Sequence, residues 1–266
     1  MVSNSKKKGQ VTIFIILAIL LVAVALSIFY FIPKIKTATG FDEKNPNLFL
    51  QSCMEDPLQE TVRIIGLQGG SMEPENPVPY ARDEENLETE ILCYTPNYDE
   101  ECTPLIPSPL DHVLVEIKKE MEPYAEDCFA QLVEEYESKG FKVNMDEGEF
   151  FVNFLSDRLV LIFSHELIAE KTDSLKFNSF RVVTESKFFN LLGHARNIMV
   201  TERYLGQVDL TLDYRAQDSD LNPSVEVYNG EGPLMDTRIY KLKSKSTGEE
   251  FNFGIRSMIL SISGAY

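Results

Sequence analysis

The chain has 266 residues, with 25 basic against 42 acidic side chains, a net charge of −17 and 44% hydrophobic residues. It is too apolar for a disordered chain, and it has enough core-forming residues for one or two domains. The acidic excess repels phosphate backbones, which argues against nucleic acid as a partner.

Residues 1–10, "MVSNSKKKGQ", form a basic tail, and "VTIFIILAILLVAVALSIFYFIP" follows. From Val11 to Ile32 there are 22 residues without a charge. At about 1.5 Å rise per residue they span roughly 33 Å, the hydrocarbon thickness of a bilayer. A core helix of that length would show a polar face, and this one has none. Residues 11–33 are therefore expected to cross a lipid bilayer as a helix. Lys6, Lys7 and Lys8 precede the span, while Lys34 and Lys36 beyond it are soon followed by acids. The positive-inside rule places the N-terminus in the cytoplasm and the remainder outside the cell membrane. Three bases lie before the span, so the outer part carries 22 bases against 42 acids, a net −20.

The apolar run is too long for the h-region of a cleaved secretory signal, and no small-x-small site precedes Pro33. Lys8-Gly9-Gln10 leading straight into the apolar run resembles the class III signal of archaeal type IV pilin-like proteins. The resemblance implies cleavage between Gly9 and Gln10 by a prepilin peptidase, leaving the hydrophobic helix on the mature chain. It covers about 25 of the 266 residues and rests on a short motif. Position 14 is Phe where many such pilins carry Glu, and Pro33 and Gly40 interrupt the long helix that serves as a filament spine. An uncleaved signal anchor is the competing reading.

Residues 34–47 read as a polar linker. A helical subdomain is expected over 48–140. Leu50, Cys53, Met54, Leu58, Val62 and Ile65 follow helical spacing, with Pro57 marking either a kink or the start of a second helix. Gly66, Gly69 and Gly70 end that helix. Residues 71–109 hold seven of the thirteen prolines and read as a long irregular loop. Its Tyr80, Tyr94 and Tyr98 make it the expected contact region for a protein partner. A second helix follows from Ser108-Pro109 to Gly140, with Leu114, Ile117, Met121, Tyr124, Cys128, Leu132 and Tyr136 as its apolar stripe.

All four cysteines lie beyond the apolar segment, and that even number points to disulfides in an oxidising, extracytoplasmic space, with four scattered reduced thiols as the competing reading. Cys53 and Cys128 sit on the apolar faces of their helices, which favours Cys53–Cys128 and Cys93–Cys102; the two other connectivities stay open.

Residues 141–266 read as a β-rich subdomain. "GEFFVNFLSDRLVLIFSHELIAEK" is taken as two strands around Ser156-Asp157, and "FNSFRVVTES" as a third. Ser186 caps a helix with Phe188, Leu192, Ala195 and Met199 inward. "VDLTLDY", "SVEVYN", "TRIYKLKSK" and "EFNFGIRSMIL" complete the strands. The expected fold is α+β: an N-terminal transmembrane helix, then disulfide-linked helices packed with a largely antiparallel sheet.

The chemical candidates are few. Gly70-Ser71-Met72-Glu73-Pro74 is similar to the segment around the nucleophilic serine of archaeal and ER-type signal peptidases, which implies Ser71 as a catalytic nucleophile. That family supplies its His and Asp from later strands. Here no Gly-Asp follows, and the single Gly-His, Gly193-His194, lies within a helical pattern. A plain helix exit is the competing reading of Ser71. His165-Glu166 lacks a second His four residues on, because position 169 is Ala, and Glu170 shares a strand face with Glu166. His112 and His194 have no ligand-spaced partners. Asp99, Glu100 and Glu101 lack the alternation of a calcium loop. No cofactor fingerprint is present, and neither a cofactor nor a metal is expected.

Most of the chain, in the order anchor, "GLQGG" segment, proline-rich loop, cysteine-bearing helix and β-rich end, resembles an uncharacterised archaeal family of membrane-anchored proteins. That likeness implies a structural role for Gly66 to Gly70. The expected function is structural, adhesive or partner-binding, with a pilin-like assembly among the options. A membrane-anchored serine peptidase using Ser71 is the alternative.

Overall fold

A computed structural model describes residues 41–82, 85–146, 148–206 and 223–259. The basic tail, the apolar segment 11–33, Gly9 and Gln10, and the strand expected at 208–214 all lie outside these residues. No described helix is long and apolar enough to cross a membrane.

Helix α1 spans Pro46–Leu67, with a proline in its first turn where the missing N–H is harmless. Pro57 lies inside it, and the chain continues as one helix. An interior proline costs about 3 kcal/mol. Leu50, Met54, Leu58 and Ile65 are each 0% exposed along one face. Burying each contributes about 1.5–3 kcal/mol, so the packed face wins.

Helix α2 spans Pro109–Ser138 and packs along α1. Its buried face runs through Val113, Ile117, Met121, Ala125, Cys128, Phe129, Leu132 and Tyr136. The expected stripe is correct at its centre and C-terminal end, but Tyr124 points outward, 43% exposed, and Ala125 takes the inward place. Disulfides join Cys53 to Cys128, with Cα atoms 6.0 Å apart, and Cys93 to Cys102, 5.4 Å apart. This is the connectivity that the helix faces imply.

The segment 71–109 corrects the expectation of an irregular loop. It contains β1 (Pro77–Arg82), β2 (Glu85–Tyr94) and the short β3 (Thr103–Pro104). β1 and β2 form an antiparallel hairpin with Pro77 opposite Glu90 and Pro79 opposite Glu88. Residues two apart turn their backbone polar groups to the same side. The Pro79 carbonyl accepts from Glu231 N–H, away from β2, so both prolines lack a donor only on the side that β2 does not use. Prolines spaced in this way leave the ladder intact.

The remaining strands are β4 (Lys142–Asp146), β5 (Phe150–Leu155), β6 (Arg158–Phe163), β7 (Glu166–Glu170), β8 (Ser174–Phe177) and β9 (Phe180–Glu185). After helix α3 (Phe188–Leu205) come β10 (Ser224–Asn229), β11 (Arg238–Lys243) and β12 (Glu250–Arg256). The largest sheet runs β1-β2-β12-β11-β10 with β3 beside β2, and β2–β12 is its parallel pair. Two antiparallel sheets, β4-β7-β8 and β5-β6-β9, complete a mostly antiparallel α+β fold. The turn expected at Ser156-Asp157 joins β5 to β6, with Leu155 opposite Arg158. The run expected to form two strands forms three, because the chain leaves this sheet at Ser164 and β7 pairs with β4 and β8 instead.

Helix α3 buries Phe188, Leu192, Ala195 and Met199, as its period requires. It also buries Glu202, at 0% exposure. That carboxylate accepts from Arg238 Nη1 at 2.8 Å and from the Tyr240 hydroxyl, tying α3 to β11. Burial, reinforced by the charge of Glu202, pushes the Tyr240 hydroxyl above the usual tyrosine range.

Candidate functional site

Ser71 is placed by the end of α1. A Cβ on Gly66 would lie 2.2 Å from the Glu250 carbonyl oxygen, so the helix can approach β12 only with glycine there. Gly69 has φ +79°, in the left-handed region, and Gly70 N–H donates back to the Ile65 carbonyl at 2.8 Å. A Cβ on Gly69 would also sit 2.8 Å from the Glu90 backbone nitrogen. The turn therefore presses on β2, and Glu90 N–H donates to the Gln68 carbonyl at 3.1 Å.

This turn delivers Ser71 to the junction of β2 and the first turns of α2. Ser71 Oγ lies 2.8 Å from His112 Nε2 and 3.5 Å from Glu90 Oε2. Ser71 is 4% exposed and Glu90 1%. Glu90 accepts the N–H of Glu75 at 2.7 Å through Oε2 and that of Asn76 at 2.8 Å through Oε1. Glu116, one turn beyond His112 on α2, accepts Met72 N–H at 3.0 Å. In the amide orientation that satisfies its neighbours, the Gln68 side-chain nitrogen donates to the carbonyl oxygens of Ser71 at 3.1 Å and Met72 at 2.6 Å. Two carboxylates, an imidazole and an amide thus hold the segment from Gln68 to Asn76.

A serine and a histidine in hydrogen-bond contact are the first two members of a nucleophilic site. The other requirements point elsewhere. A catalytic histidine is oriented through its second nitrogen, and among the described residues nothing bonds His112 Nδ1. The oxyanion needs free donors, yet the amides of Met72, Glu75 and Asn76 are taken by Glu116 and Glu90. The Glu90 carboxylate also faces Ser71 Oγ, where an anionic intermediate would be repelled. The arrangement latches a loop.

Sequence reasoning found no ligand-spaced partner for His112. Ser71 and His112 are 41 residues apart and meet only through the glycine turn, so no short-range spacing announces the pair. His165 Nδ1 accepts Gly148 N–H at 2.7 Å, and Glu166 pairs with Lys176 at 2.7 Å. Glu170 ends β7, and His194 is half-buried on α3. Glu100 accepts from Asn97 Nδ2 at 2.7 Å, and Glu101 lies 3.3 Å from Arg203. Among the described residues no group of three His, Cys, Asp or Glu side chains is gathered for a metal ion.

Two larger cavities lie away from Ser71. One, of about 550 Å³, lies between α1, the start of α3 and the β11–β12 turn. There Glu249 accepts from Ser186 Oγ and Lys187 N–H, both at 2.6 Å, while Ser186 Oγ accepts Phe188 N–H at 3.1 Å. The N-cap is Lys187 rather than the expected Ser186, which lies one residue earlier, and the Glu249 carboxylate complements the helix N-terminus. Glu250 lines the same cavity; burial alone would raise its carboxyl pKa, but hydrogen bonds from Lys243 and Lys241 outweigh that and hold it below the ordinary carboxylate value. The other cavity, of about 430 Å³, lies between α2 and the β5–β6 hairpin.

Comparison with protein-family models, curated proteins and solved structures finds no match.

Proposed function

We propose that the chain is a single-pass membrane protein whose acidic, disulfide-stapled α+β part works outside the cell membrane by binding a protein partner. The observation that carries this reading is the pair of disulfides beyond the uncharged run Val11–Ile32. Closed disulfides persist in an oxidising compartment, and the preceding segment has the length and composition to anchor the chain. The class III likeness adds processing between Gly9 and Gln10, so that the mature chain begins at Gln10. The test is whether the full chain requires detergent and keeps its cysteines shielded from alkylation.

The contact region expected at 71–109 narrows in this reading. Tyr80 is 1% exposed and packs with Val78, Ile91 and Ile239, so it is unavailable to a partner. Tyr98 is 71% exposed at the tip that the Cys93–Cys102 bridge closes.

A second reading, a membrane-anchored serine peptidase, is favoured by the 2.8 Å contact between Ser71 and His112. Ser71→Ala separates the two. On the binding reading the variant loses about 1 kcal/mol of stability, the ordinary worth of a hydrogen bond, and a fluorophosphonate probe leaves wild-type Ser71 unlabelled. Stoichiometric labelling of Ser71, abolished in the alanine variant, establishes the peptidase instead.

A further inference from the structure

Helix α3 carries a second apolar stripe, on the side that faces solvent. Phe188, Leu192, Ala195 and Met199 pack inward, whereas Phe189, Val200 and Tyr204 are 38%, 45% and 54% exposed. With Gly193 between them, these positions are spaced by four, seven and four residues, so they fall within about 60° of arc along the helix. Arg196 and Arg203, seven apart, share one flank of the stripe, and Asn197 lies on the other. The one carboxylate in α3, Glu202, is 0% exposed and turned inward.

Gly193 is the odd residue in this stripe. It lies mid-helix, where glycine is a poor helix former, and its backbone is outside the left-handed region. A Cβ there would meet nothing within 4 Å, unlike one at Gly66, so the packing of the described chain does not call for glycine. It leaves a notch in the exposed face, seven residues before the protruding Val200. A notched apolar face without a carboxylate fits another helix at close range.

The stripe is complementary to itself. A two-fold axis perpendicular to α3, passing between Arg196 and Asn197, sets the helices of two copies antiparallel. Val200 of each copy then faces Gly193 of the other, knob against notch, and Phe189 of each meets Tyr204 of the other. One placement makes both kinds of contact, because the two members of each pair are equally distant from the axis. Charge favours the same approach. The outer part carries a net −20, yet these faces oppose no carboxylates. The axis also brings the arginine flanks of both copies to one side, where Glu101 lies 3.3 Å from Arg203. The two Arg196 side chains therefore come together beside the Glu101 carboxylates of both copies.

We propose that α3 is a contact between two copies of this chain, paired antiparallel through Phe189, Gly193, Val200 and Tyr204. The inference goes beyond the partner-binding reading and stands on α3 alone, whether or not residues 11–33 anchor the chain. The stripe is about 27 Å long and one helix wide, which puts the contact in the small, reversible class.

The test has two parts, both on the full chain in detergent micelles. Sedimentation equilibrium in density-matched detergent is expected to show wild type as a concentration-dependent mixture of monomer and dimer. Gly193→Gln fills the notch with a better helix former, and Val200→Gln removes the knob; each weakens dimerisation about tenfold. Val115→Gln, at a valine 63% exposed on α2, stays within about twofold. All four cysteines are paired, so one introduced thiol reads the register. Under oxidised glutathione, Asn197→Cys, beside the axis, forms a disulfide with the same position of the second copy. Tyr204→Cys, whose two copies lie about 22 Å apart, cross-links only when mixed with Phe189→Cys. The proposal is overturned by a wild type that stays monomeric, by variants at 193 and 200 that dimerise no worse than Val115→Gln, or by Tyr204→Cys linking to itself as readily as Asn197→Cys. The detergent dependence of the same samples reports on the anchor separately.

Discussion

Glu90→Ala is expected to lower the unfolding free energy by about 3 kcal/mol, because a charged acceptor with two backbone donors and a serine hydroxyl is removed at once. The segment from Gln68 to Asn76 then keeps only its backbone bonds to β2, from Glu90 N–H to the Gln68 carbonyl and from Ile91 N–H to the Asn76 carbonyl. Denaturant unfolding of the full chain in micelles measures the effect. Glu90→Gln retains one acceptor oxygen and should recover about half of the loss. A change below about 0.5 kcal/mol in the alanine variant would mean that water replaces the carboxylate without penalty and that no latch exists.

The other large effect concerns the bridge between the two helices. Cys53 and Cys128 are 75 residues apart, and Cys93 and Cys102 are 9 apart. On chain-entropy grounds, removing the long-range bridge by Cys53→Ser/Cys128→Ser costs about 4.5 kcal/mol, against about 2.5 kcal/mol for Cys93→Ser/Cys102→Ser. The half-sites also differ in what they hold: the first fastens α1 to α2, and the second closes the loop that presents Tyr98. Unfolding of the two double variants under identical conditions should keep this order. The reverse order would place the main stabilising constraint in the loop.

What could be read from the sequence was whatever depends on local periodicity. The buried face of α2 recurs at helical spacing, so Ile117, Met121, Cys128, Leu132 and Tyr136 announced themselves and carried the cysteine pairing with them. The β5–β6 turn was legible because two polar residues, Ser156 and Asp157, separate apolar runs. Prolines misled where direction mattered. Pro77 and Pro79 read as loop residues, yet their spacing turns both missing donors away from β2. Pro57 read as a kink or the start of a second helix, and α1 runs through it as one helix because burial of its apolar face outweighs the cost.

The candidate site was legible only in its serine. Ser71 was marked by its neighbours Gly70 and Met72, but Glu90 and His112 reach it, and Glu116 reaches Met72, through contacts between elements. The one available hint was the tight pair Gly69-Gly70, which implies a close approach by another backbone.

The claim on which the rest depends is export of an anchored chain to an oxidising compartment. The most direct test is the intact mass of the full chain, extracted from membranes under native conditions and exposed to iodoacetamide before and after reduction. The account predicts that detergent is needed to bring the chain into solution, that no alkyl group adds before reduction, and that four add after reduction and unfolding. A detergent-free soluble chain that takes up four alkyl groups without any reductant would contradict it.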